Sequence, residues 1–314
     1  MSERPAPALA STALIVGCGY LGTRVASRLL ERGVTVMGTT RSEQRGHELA
    51  ELGIQPLLVS VTEPLTFAAL KPAIQAPSLD VYYMVPPGRP GNQPSPRQVV
   101  LGGTAHMAKQ LKHARLRRAL LVSSTAVYGQ QHGETVDADT PPEPIDDRGK
   151  LLHEAEQFWL DRGQAYHVLR LAGLYGPGRV VGLRAVSDGS PIVGDPQKLL
   201  NLIHVDDAAD LTIAMMQAEA PGRVELGCDG HPVPRMDYYT FLAEQLGVAA
   251  PRAMDNEQAA REFGLSSDRL KRSSNKALDN IKTCQRTGWS PRHANYREGV
   301  RMVLEEAAKQ HGRG

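Results

Sequence analysis

The sequence predicts an α/β protein with a doubly wound parallel sheet and a smaller C-terminal lobe. Short apolar runs rich in β-branched residues alternate with longer helical patterns over residues 13–171, the order that builds a parallel sheet covered by helices on both faces. A glycine turn, Gly17-Cys18-Gly19-Tyr20-Leu21-Gly22, joins the first run to the first helix. After Leu171 the alternation loosens into shorter elements separated by Pro and Gly. With 314 residues, the chain can form one large domain or two moderate ones.

Six strands and three long helices are predicted in this first part of the chain. The strands are Ala13–Val16, Val34–Gly38, Gln55–Val59, Asp80–Val85, Ala119–Val122 and Tyr166–Leu171. The first helix has leucine and valine at helical spacing and ends at Gly33. A second long helix is predicted over about Gln98–Ala114. A third begins near Asp146–Asp147, which can cap it, and ends at Gly163.

Composition and charge exclude several classes of protein. The 36 Lys and Arg residues against 34 Asp and Glu leave a net charge of +2, which indicates neither nucleic-acid nor membrane-surface binding. The three cysteines lie far apart without a C-x-x-C pair, so a disulfide framework or metal site is not predicted. Apolar stretches are too short to span a bilayer, and no exported segment is recognised, so the cytoplasm is the predicted location.

The glycine turn predicts a dinucleotide site because it follows a strand and opens a helix. Gly17 permits the tight turn, Gly19 lets backbone approach a pyrophosphate, and Gly22 lets helix and strand pack closely. The phosphates would then contact the unpaired N–H groups of the helix start. The same N-terminus could depress the pKa of the cysteine in the turn, although nothing nearby suggests a nucleophile role. The predicted contacts are Gly17, Cys18, Gly19, Tyr20, Leu21 and Gly22; the alternative is a plain strand-to-helix turn that tolerates glycine.

The end of the second strand favours NADP over NAD. An NAD site usually carries an acidic residue there to bind the ribose 2′-hydroxyl, whereas this chain has Thr39-Thr40-Arg41-Ser42 and no acid before Glu43. A guanidinium can bind a 2′-phosphate in a bidentate manner, and the hydroxyls of Thr40 and Ser42 can donate to it. Alternatively, Arg41 is only a solvated loop residue.

Five stretches, taken together, resemble a known superfamily. They are Gly17–Gly22, Ser123–Gly129 (SSTAVYG), Arg170–Gly178 (RLAGLYGPG), Asn201–Asp207 (NLIHVDD) and Tyr296–Gly299 (YREG). In this order they resemble the extended short-chain dehydrogenase/reductase superfamily, specifically its NAD-dependent epimerase/dehydratase group. The resemblance implies a Rossmann-type fold and a small polar substrate, such as a carbonyl compound or a sugar.

The resemblance also implies roles for individual residues. Ser124 matches the Ser or Thr that hydrogen-bonds the substrate oxygen, while Ser123 and the backbone at Leu171 would lie along the nicotinamide. Val85 ends the predicted fourth strand and Pro86 follows it, and ligands of open parallel sheets bind at that edge. We therefore expect both residues at the cofactor.

The same comparison implies a division into domains. Residues 1–12 form a flexible leader and residues 13–174 the dinucleotide-binding domain. Residues 175–200 and 224–314 form the substrate lobe, and residues 201–223 return to the first domain. The helices after the fourth and fifth strands could pair in a homodimer.

The chain departs from this pattern at the proton-transferring Tyr and Lys. Arg148 stands at the Tyr position and Leu152 at the Lys position, and none of the nine tyrosines is followed by Lys at the fourth place. The chain therefore resembles the atypical branch of the superfamily. Arg148 could orient an anionic substrate group, or it could pair with Asp146 or Asp147.

Two other side chains are candidate proton donors. Tyr128 is the phenol nearest in sequence to Ser124, although a Tyr there could instead pack beside the site. His204 precedes Asp206-Asp207, which could tune its imidazole, or it could be a structural strand residue before a helix capped by one of the two acids. The leading hypothesis is an NADP-binding oxidoreductase or epimerase-like enzyme with non-standard catalytic residues. The alternative is a non-catalytic NADP-binding sensor or regulatory protein.

Overall fold

Seven parallel strands form the centre of the fold in the computed structural model, which describes residues 9–88, 91, 93–264 and 274–311. In chain order the strands are β1 Thr12–Val16, β2 Thr35–Thr40, β3 Gln55–Leu58, β4 Leu79–Tyr83, β5 Leu116–Ser124, β6 Glu134–Val136, β7 Tyr166–Leu171, β8 Gly173–Tyr175, β9 Ile192–Val193, β10 Leu199–Leu200, β11 Leu202–His204, β12 Val224–Gly227, β13 Val233–Pro234, β14 Ala253–Met254 and β15 Lys276–Leu278. The central sheet has the order β12-β7-β5-β4-β1-β2-β3, and all its pairs are parallel. The predicted doubly wound, Rossmann-type α/β fold is confirmed.

Helices cover both faces of this sheet. They are α1 Tyr20–Glu31, α2 Glu43–Glu51, α3 Lys71–Ile74, α4 Gly103–Leu111, α5 Asp147–Leu160, α6 Leu183–Ser187, α7 Val205–Gln217, α8 Arg235–Leu246, α9 Asn256–Phe263, α10 Ile281–Thr287 and α11 Tyr296–His311. Leu14 and Ile15 are neighbours in β1, yet they belong to different hydrophobic clusters, because successive strand residues face opposite sides. Ile15 shares its cluster with Val25 of α1, and Leu14 shares the other with Met107 of α4.

The local signals for the third long helix were reliable. Asp146 is its N-cap, and its Oδ1 accepts a hydrogen bond from the Gly149 N–H at 2.7 Å. The second long helix begins less regularly than predicted, as a single π-helical segment over Gln98–Gly102 that leads into α4.

One predicted boundary is wrong. Val224–Gly227, which we assigned to the substrate lobe, pairs with β7 and forms an edge of the central sheet. The strand has four residues and follows Pro and Gly, so no alternating pattern marks it in the sequence. The preceding helix α7 packs against α1.

The structure describes the two termini and the predicted lobe only in part. Residues 1–8 of the predicted leader lie outside the described residues, as do 265–273 and 312–314 of the predicted lobe. Thr12, predicted as the last leader residue, begins β1. A separate hydrophobic cluster in the lobe includes Tyr175, Tyr238 and Phe241.

Within these described ranges, no helix combines the length and apolar character needed to cross a bilayer. The same ranges contain no group of three or more His, Cys, Asp or Glu side chains arranged to hold a metal ion. The homodimer and the cytoplasmic location stay predictions.

Candidate functional site

The glycine turn brings strand, loop and helix into van der Waals contact. Gly17 has φ +86° and donates its N–H to the Thr39 Oγ1 at 2.9 Å. A Cβ placed on Gly17 would lie 3.1 Å from the carbonyl carbon of Met84, and one on Gly22 would lie 2.8 Å from the Gly17 oxygen. Both positions therefore exclude any larger side chain.

The start of α1 is suited to bind an anion. Gly19 is its N-cap, no side chain caps the helix, and the first turn carries no acid. A Cβ placed on Gly19 would meet no atom within 4 Å, so there is room beside the turn. The first N–H groups of a helix have no partner within it, and they carry partial positive charge. Tyr20 and Leu21 are the first two residues of this helix.

Cys18 has a packing role in the turn rather than a chemical one. Its thiol is buried beside Gly38, where an added Cβ would lie 3.1 Å from the Sγ atom. Burial raises the pKa of Cys18 to about 11, because its effect is larger than that of the Thr23 hydrogen bond, which lowers the pKa. The depressed pKa expected from the helix N-terminus is therefore wrong.

Arg41 extends into solvent from the carboxyl end of β2. Its side chain is exposed, and no hydrogen bond or ion pair joins it to another residue of the described ranges. Thr40 is half-buried, and its Oγ1 accepts a hydrogen bond from the Ser42 N–H at 3.2 Å. The Ser42 hydroxyl in turn caps α2. The guanidinium is thus available to a ligand beside two hydroxyl groups.

A second arginine, which sequence reasoning missed, lies near the same end of β2. Arg45 donates to the Glu48 carboxylate at 2.6 Å and to the Thr23 Oγ1 at 2.7 Å. It therefore links α2 to the first helix after the glycine turn. The only sequence signal was its position one helical turn after Arg41.

Val85 and Pro86 border the turn on its other side. Val85 is half-buried, and its Cγ2 lies 3.1 Å from the place a Gly17 Cβ would occupy; Pro86 is exposed. Because the strand order reverses between β1 and β4, this crevice is the topological switch point at which such sheets bind ligands.

Ser124 ends β5 at the same edge of the sheet. Its hydroxyl accepts a hydrogen bond from the Ala126 N–H at 3.3 Å and caps a short 3₁₀ turn, Thr125–Val127. Leu171 is the residue in register with it on β7, with its side chain in the core. A hydroxyl that accepts one bond still has its hydrogen to donate, so Ser124 can donate to a ligand oxygen.

A buried ion pair contacts Ser123, the residue before Ser124. The Ser123 hydroxyl donates to the Glu156 Oε1 at 2.5 Å, and Arg170 donates to the Glu156 Oε2 at 3.0 and 2.7 Å. The side chains of Glu156 and Arg170 are 0% and 3% exposed. The side chain of Ser123 therefore belongs to this internal network, and its placement along the nicotinamide stays a prediction.

Tyr128 belongs to the same network. Its hydroxyl accepts from the Arg170 guanidinium at 3.0 Å and donates to the Asp137 carbonyl oxygen at 2.9 Å. The residue is fully buried, and burial raises the pKa of Tyr128. Its phenol has no access to a substrate, so the geometry opposes its predicted role as an acid and fits the alternative of packing beside the site.

The Tyr and Lys positions of the family pattern hold an exposed arginine and a buried leucine. Arg148 extends from the first turn of α5 without a hydrogen bond or ion pair to any described residue, so its pairing with Asp146 or Asp147 does not occur. A Cβ on Gly149 would lie 2.5 Å from the Ala126 carbonyl oxygen, so α5 begins directly against the turn after Ser124. Leu152 is in the core.

His204 is a structural residue at the end of β11. Its Nδ1 accepts a hydrogen bond from the Asp206 N–H at 3.2 Å, so His204 itself, and neither acid, caps α7. The ring stacks on His293 with centroids 3.8 Å apart. Burial, and next the neighbouring His293, lower the pKa of His204 to about 4, so the imidazole is neutral at pH 7.

Two lysines near the site gave no recognisable sequence signal. The Lys276 ammonium donates to the Tyr128 carbonyl oxygen at 2.9 Å and to the Ser274 hydroxyl at 2.8 Å. Lys198 is half-buried nearby. Burial, and next Lys198, lower the pKa of Lys276 to about 8. Both lysines lie on short strands or loops of the lobe, distant in sequence from every motif.

Comparisons with known proteins match most of the chain to one family. Residues 13–227 match the model of the NAD dependent epimerase/dehydratase family. The chain is 32% identical over 247 residues to protein YeeZ of Escherichia coli K12, covering 76% of this chain and 85% of that protein. It is 25% identical over 301 residues to the 3-diazoavenalumate denitrifying reductase of a Streptomyces species, covering 91% and 98%.

A solved structure from Silicibacter pomeroyi, described as a functionally unknown conserved protein, has a similar fold. Its TM-score is 0.74 at 29% sequence identity, over 94% of this chain and 99% of that one. Membership of the atypical branch stays a prediction.

Proposed function

This chain belongs to the NAD-dependent epimerase/dehydratase family, and we propose that it is an NADP-dependent oxidoreductase acting on a small polar carbonyl compound. One observation carries the proposal. The open glycine turn and the Ser124 hydroxyl, which has its hydrogen free to donate, lie at the same carboxyl edge of the sheet. Membership of this family supplies the reaction class, which is NAD-dependent, epimerase-like or oxidoreductase chemistry.

The residues present fit a dinucleotide. The space beside Gly19 and the uncapped start of α1 would receive the pyrophosphate, and Val85 and Pro86 would border it. Two features support a 2′-phosphate: no acid ends β2, and the Arg41 guanidinium there pairs with no residue that the structure describes. When bound, the nicotinamide supplies or accepts a hydride.

Ser124 would donate its hydrogen bond to the substrate carbonyl oxygen. This donor stabilises the negative charge that develops on the oxygen as the hydride arrives. Neither of the buried candidates, Tyr128 and His204, can reach that oxygen as an acid, and the Arg148 guanidinium does not release a proton at neutral pH. We therefore infer that water supplies the proton.

Cofactor preference is tested by calorimetric titration with NADPH, NADP, NADH and NAD. We expect the phosphorylated pair to bind more tightly, and Arg41→Ala to remove that difference. Arg115→Ala is a matched control, since Arg115 is an exposed arginine just before β5, at the opposite edge of the sheet. Equal binding of NADPH and NADH by the wild type would refute the preference.

Activity is tested by following NADPH oxidation with a panel of aldehydes, ketones and keto sugars. Ser124→Ala should lower kcat about 100-fold, as for loss of one donor to a developing oxyanion. Ser190→Ala, on the exposed surface of the lobe, should not change it. Tight NADPH binding without oxidation across the panel would contradict the proposal.

That outcome would favour a second candidate, a non-catalytic NADP-binding sensor. The observation behind it is the exposed Arg148 and buried Leu152 at the places of the Tyr and Lys. In that case Arg148→Tyr combined with Leu152→Lys should produce new reductase activity in an otherwise inactive protein. A double variant that stays inactive while folded and NADPH-bound would argue that more than this pair is missing.

A further inference from the structure

A group of cations lies where the lobe meets the candidate site. Leu199 donates its N–H to the Asn275 Oδ1 at 2.9 Å. This bond brings together Lys198, which precedes Leu199, and Lys276, which follows Asn275. Arg235 joins them, since its N–H donates to the Lys198 carbonyl oxygen at 2.9 Å. We call Lys198, Lys276 and Arg235 the lysine cluster.

No residue of the lysine cluster forms an ion pair with a described carboxylate. Lys276 is 7% exposed, and its two hydrogen bonds go to neutral oxygens. Lys198 makes no hydrogen bond or ion pair through its ammonium to any described residue. Asp146 attracts both ammonium groups and Asp195 attracts that of Lys198, but neither carboxylate comes close enough to form an ion pair with them. A buried cation without a partner is unfavourable, so a missing anion would stabilise this arrangement.

The position of the lysine cluster connects it to the reaction. Lys276 contacts Tyr128, which directly follows the turn capped by Ser124. Asp146 caps the helix that carries Arg148. The lysine cluster is thus joined to the residue that ends the Ser124 turn, and the carboxylate that attracts it lies two residues before Arg148.

We propose that the substrate carries an oxyanion group, a carboxylate or a phosphate, that binds between Lys276 and Lys198. This inference rests on the proposed function, because it names the substrate class of the same site. The remaining donor of the Lys276 ammonium and the unpaired ammonium of Lys198 each bind one oxygen of the group. The anion replaces the water that would otherwise solvate Lys198, and it neutralises the charge buried at Lys276.

The test is an NMR titration of the NADPH-saturated protein produced with ¹³C-labelled lysine, which leaves every ammonium group unmodified. The probes are inorganic phosphate, benzoate and the neutral analogue benzamide. Lys276→Met and Lys198→Met assign the two resonances. Lys150, exposed on α5, is the matched control lysine.

We expect phosphate or benzoate to shift the resonances of Lys276 and Lys198 together and saturably, and benzamide to shift neither. Lys198→Met, at a half-buried site whose ammonium has no described partner, should weaken probe binding about tenfold, the loss of one charge-assisted hydrogen bond. Response to one probe alone identifies the group as carboxylate or phosphate. The absence of a saturable shift at Lys276, or an equal shift at Lys150, overturns the inference.

The proposed reaction and the proposed anion site can be refuted independently of each other. If NADPH oxidation occurs but no probe shifts the lysine cluster, the substrate class is wrong and the oxidoreductase stands. If the probes bind but no anionic carbonyl compound is reduced, the anion site stands and the proposed reaction is wrong.

Discussion

Replacing Glu156 by Gln should destabilise the protein by about 3–5 kcal/mol, the cost of removing one partner of a buried ion pair. The magnitude follows from the burial of the pair, whose side chains are 0% and 3% exposed. Both guanidinium bonds end on one carboxylate oxygen, at 3.0 and 2.7 Å, where the amide oxygen of Gln can accept them but carries no negative charge. Arg170, which also donates to the Tyr128 hydroxyl, would then be a cation in the core without its counter-ion.

A matched control lies two residues away in the same helix. Glu154 forms an ion pair with Arg97 in which the side chains are 50% and 67% exposed. Because exposed pairs contribute only about 0–1 kcal/mol, Glu154→Gln should have little effect. Glu156→Leu combined with Arg170→Met should recover most of the loss, since apolar replacement of a whole buried pair is often neutral or stabilising.

Urea unfolding followed by tryptophan fluorescence measures the effect, because Trp159 is fully buried in the same helix. The unfolding midpoint of Glu156→Gln should fall far below those of the wild type and Glu154→Gln. Equal midpoints for the two single variants would refute the reasoning, as the buried pair would then contribute no more than a solvated one.

Three further predictions follow from other parts of the molecule. Burial raises the pKa of Asp229 from 3.8 to about 7, although the hydrogen bond from the His231 N–H lowers it. The contribution of this carboxyl group to stability is therefore highest below pH 4 and falls as the pH rises to about 7. Asp229→Asn should stabilise the protein more at pH 8 than at pH 5 in urea unfolding, and an equal gain at the two pH values would contradict this. Gly22→Ala should lower both the melting temperature, measured by thermal unfolding, and the NADPH affinity, measured by calorimetry. Gly19→Ala should lower the NADPH affinity alone, because its Cβ would meet no atom within 4 Å. Iodoacetamide at pH 8 should modify the half-buried Cys284 before Cys18, whose thiol is buried and neutral; peptide mass spectrometry showing the reverse order would disprove the burial argument.

Features that depend on neighbouring residues could be predicted from the sequence. The glycine turn is recognisable because its geometry needs small residues at fixed spacing, and the Asp146 cap because capping is decided within four residues. Ser124 was found through its motif, and the structure leaves its hydroxyl able to donate.

Features that depend on tertiary contacts could not be predicted. Glu156 and Arg170 are typical surface residue types, and only the packing of α5 on β7 buries them together. Tyr128 has the same sequence context whether its phenol faces a substrate or the core. The pairing of Lys198 with Lys276 brings together strands about 80 residues apart in sequence, and no local pattern reports such a contact.

The hydrogen bonds of Thr39 limit how the end of β2 could be redesigned. Its hydroxyl accepts from the Gly17 N–H and its carbonyl oxygen accepts from the Cys18 N–H, so one residue of β2 fixes the shape of the glycine turn. The next residues, 40–42, are half-buried or exposed. An acidic residue could therefore be introduced at 40–42 without disturbing the turn, whereas grafting a whole strand end from another protein would remove the bonds that hold the turn in place.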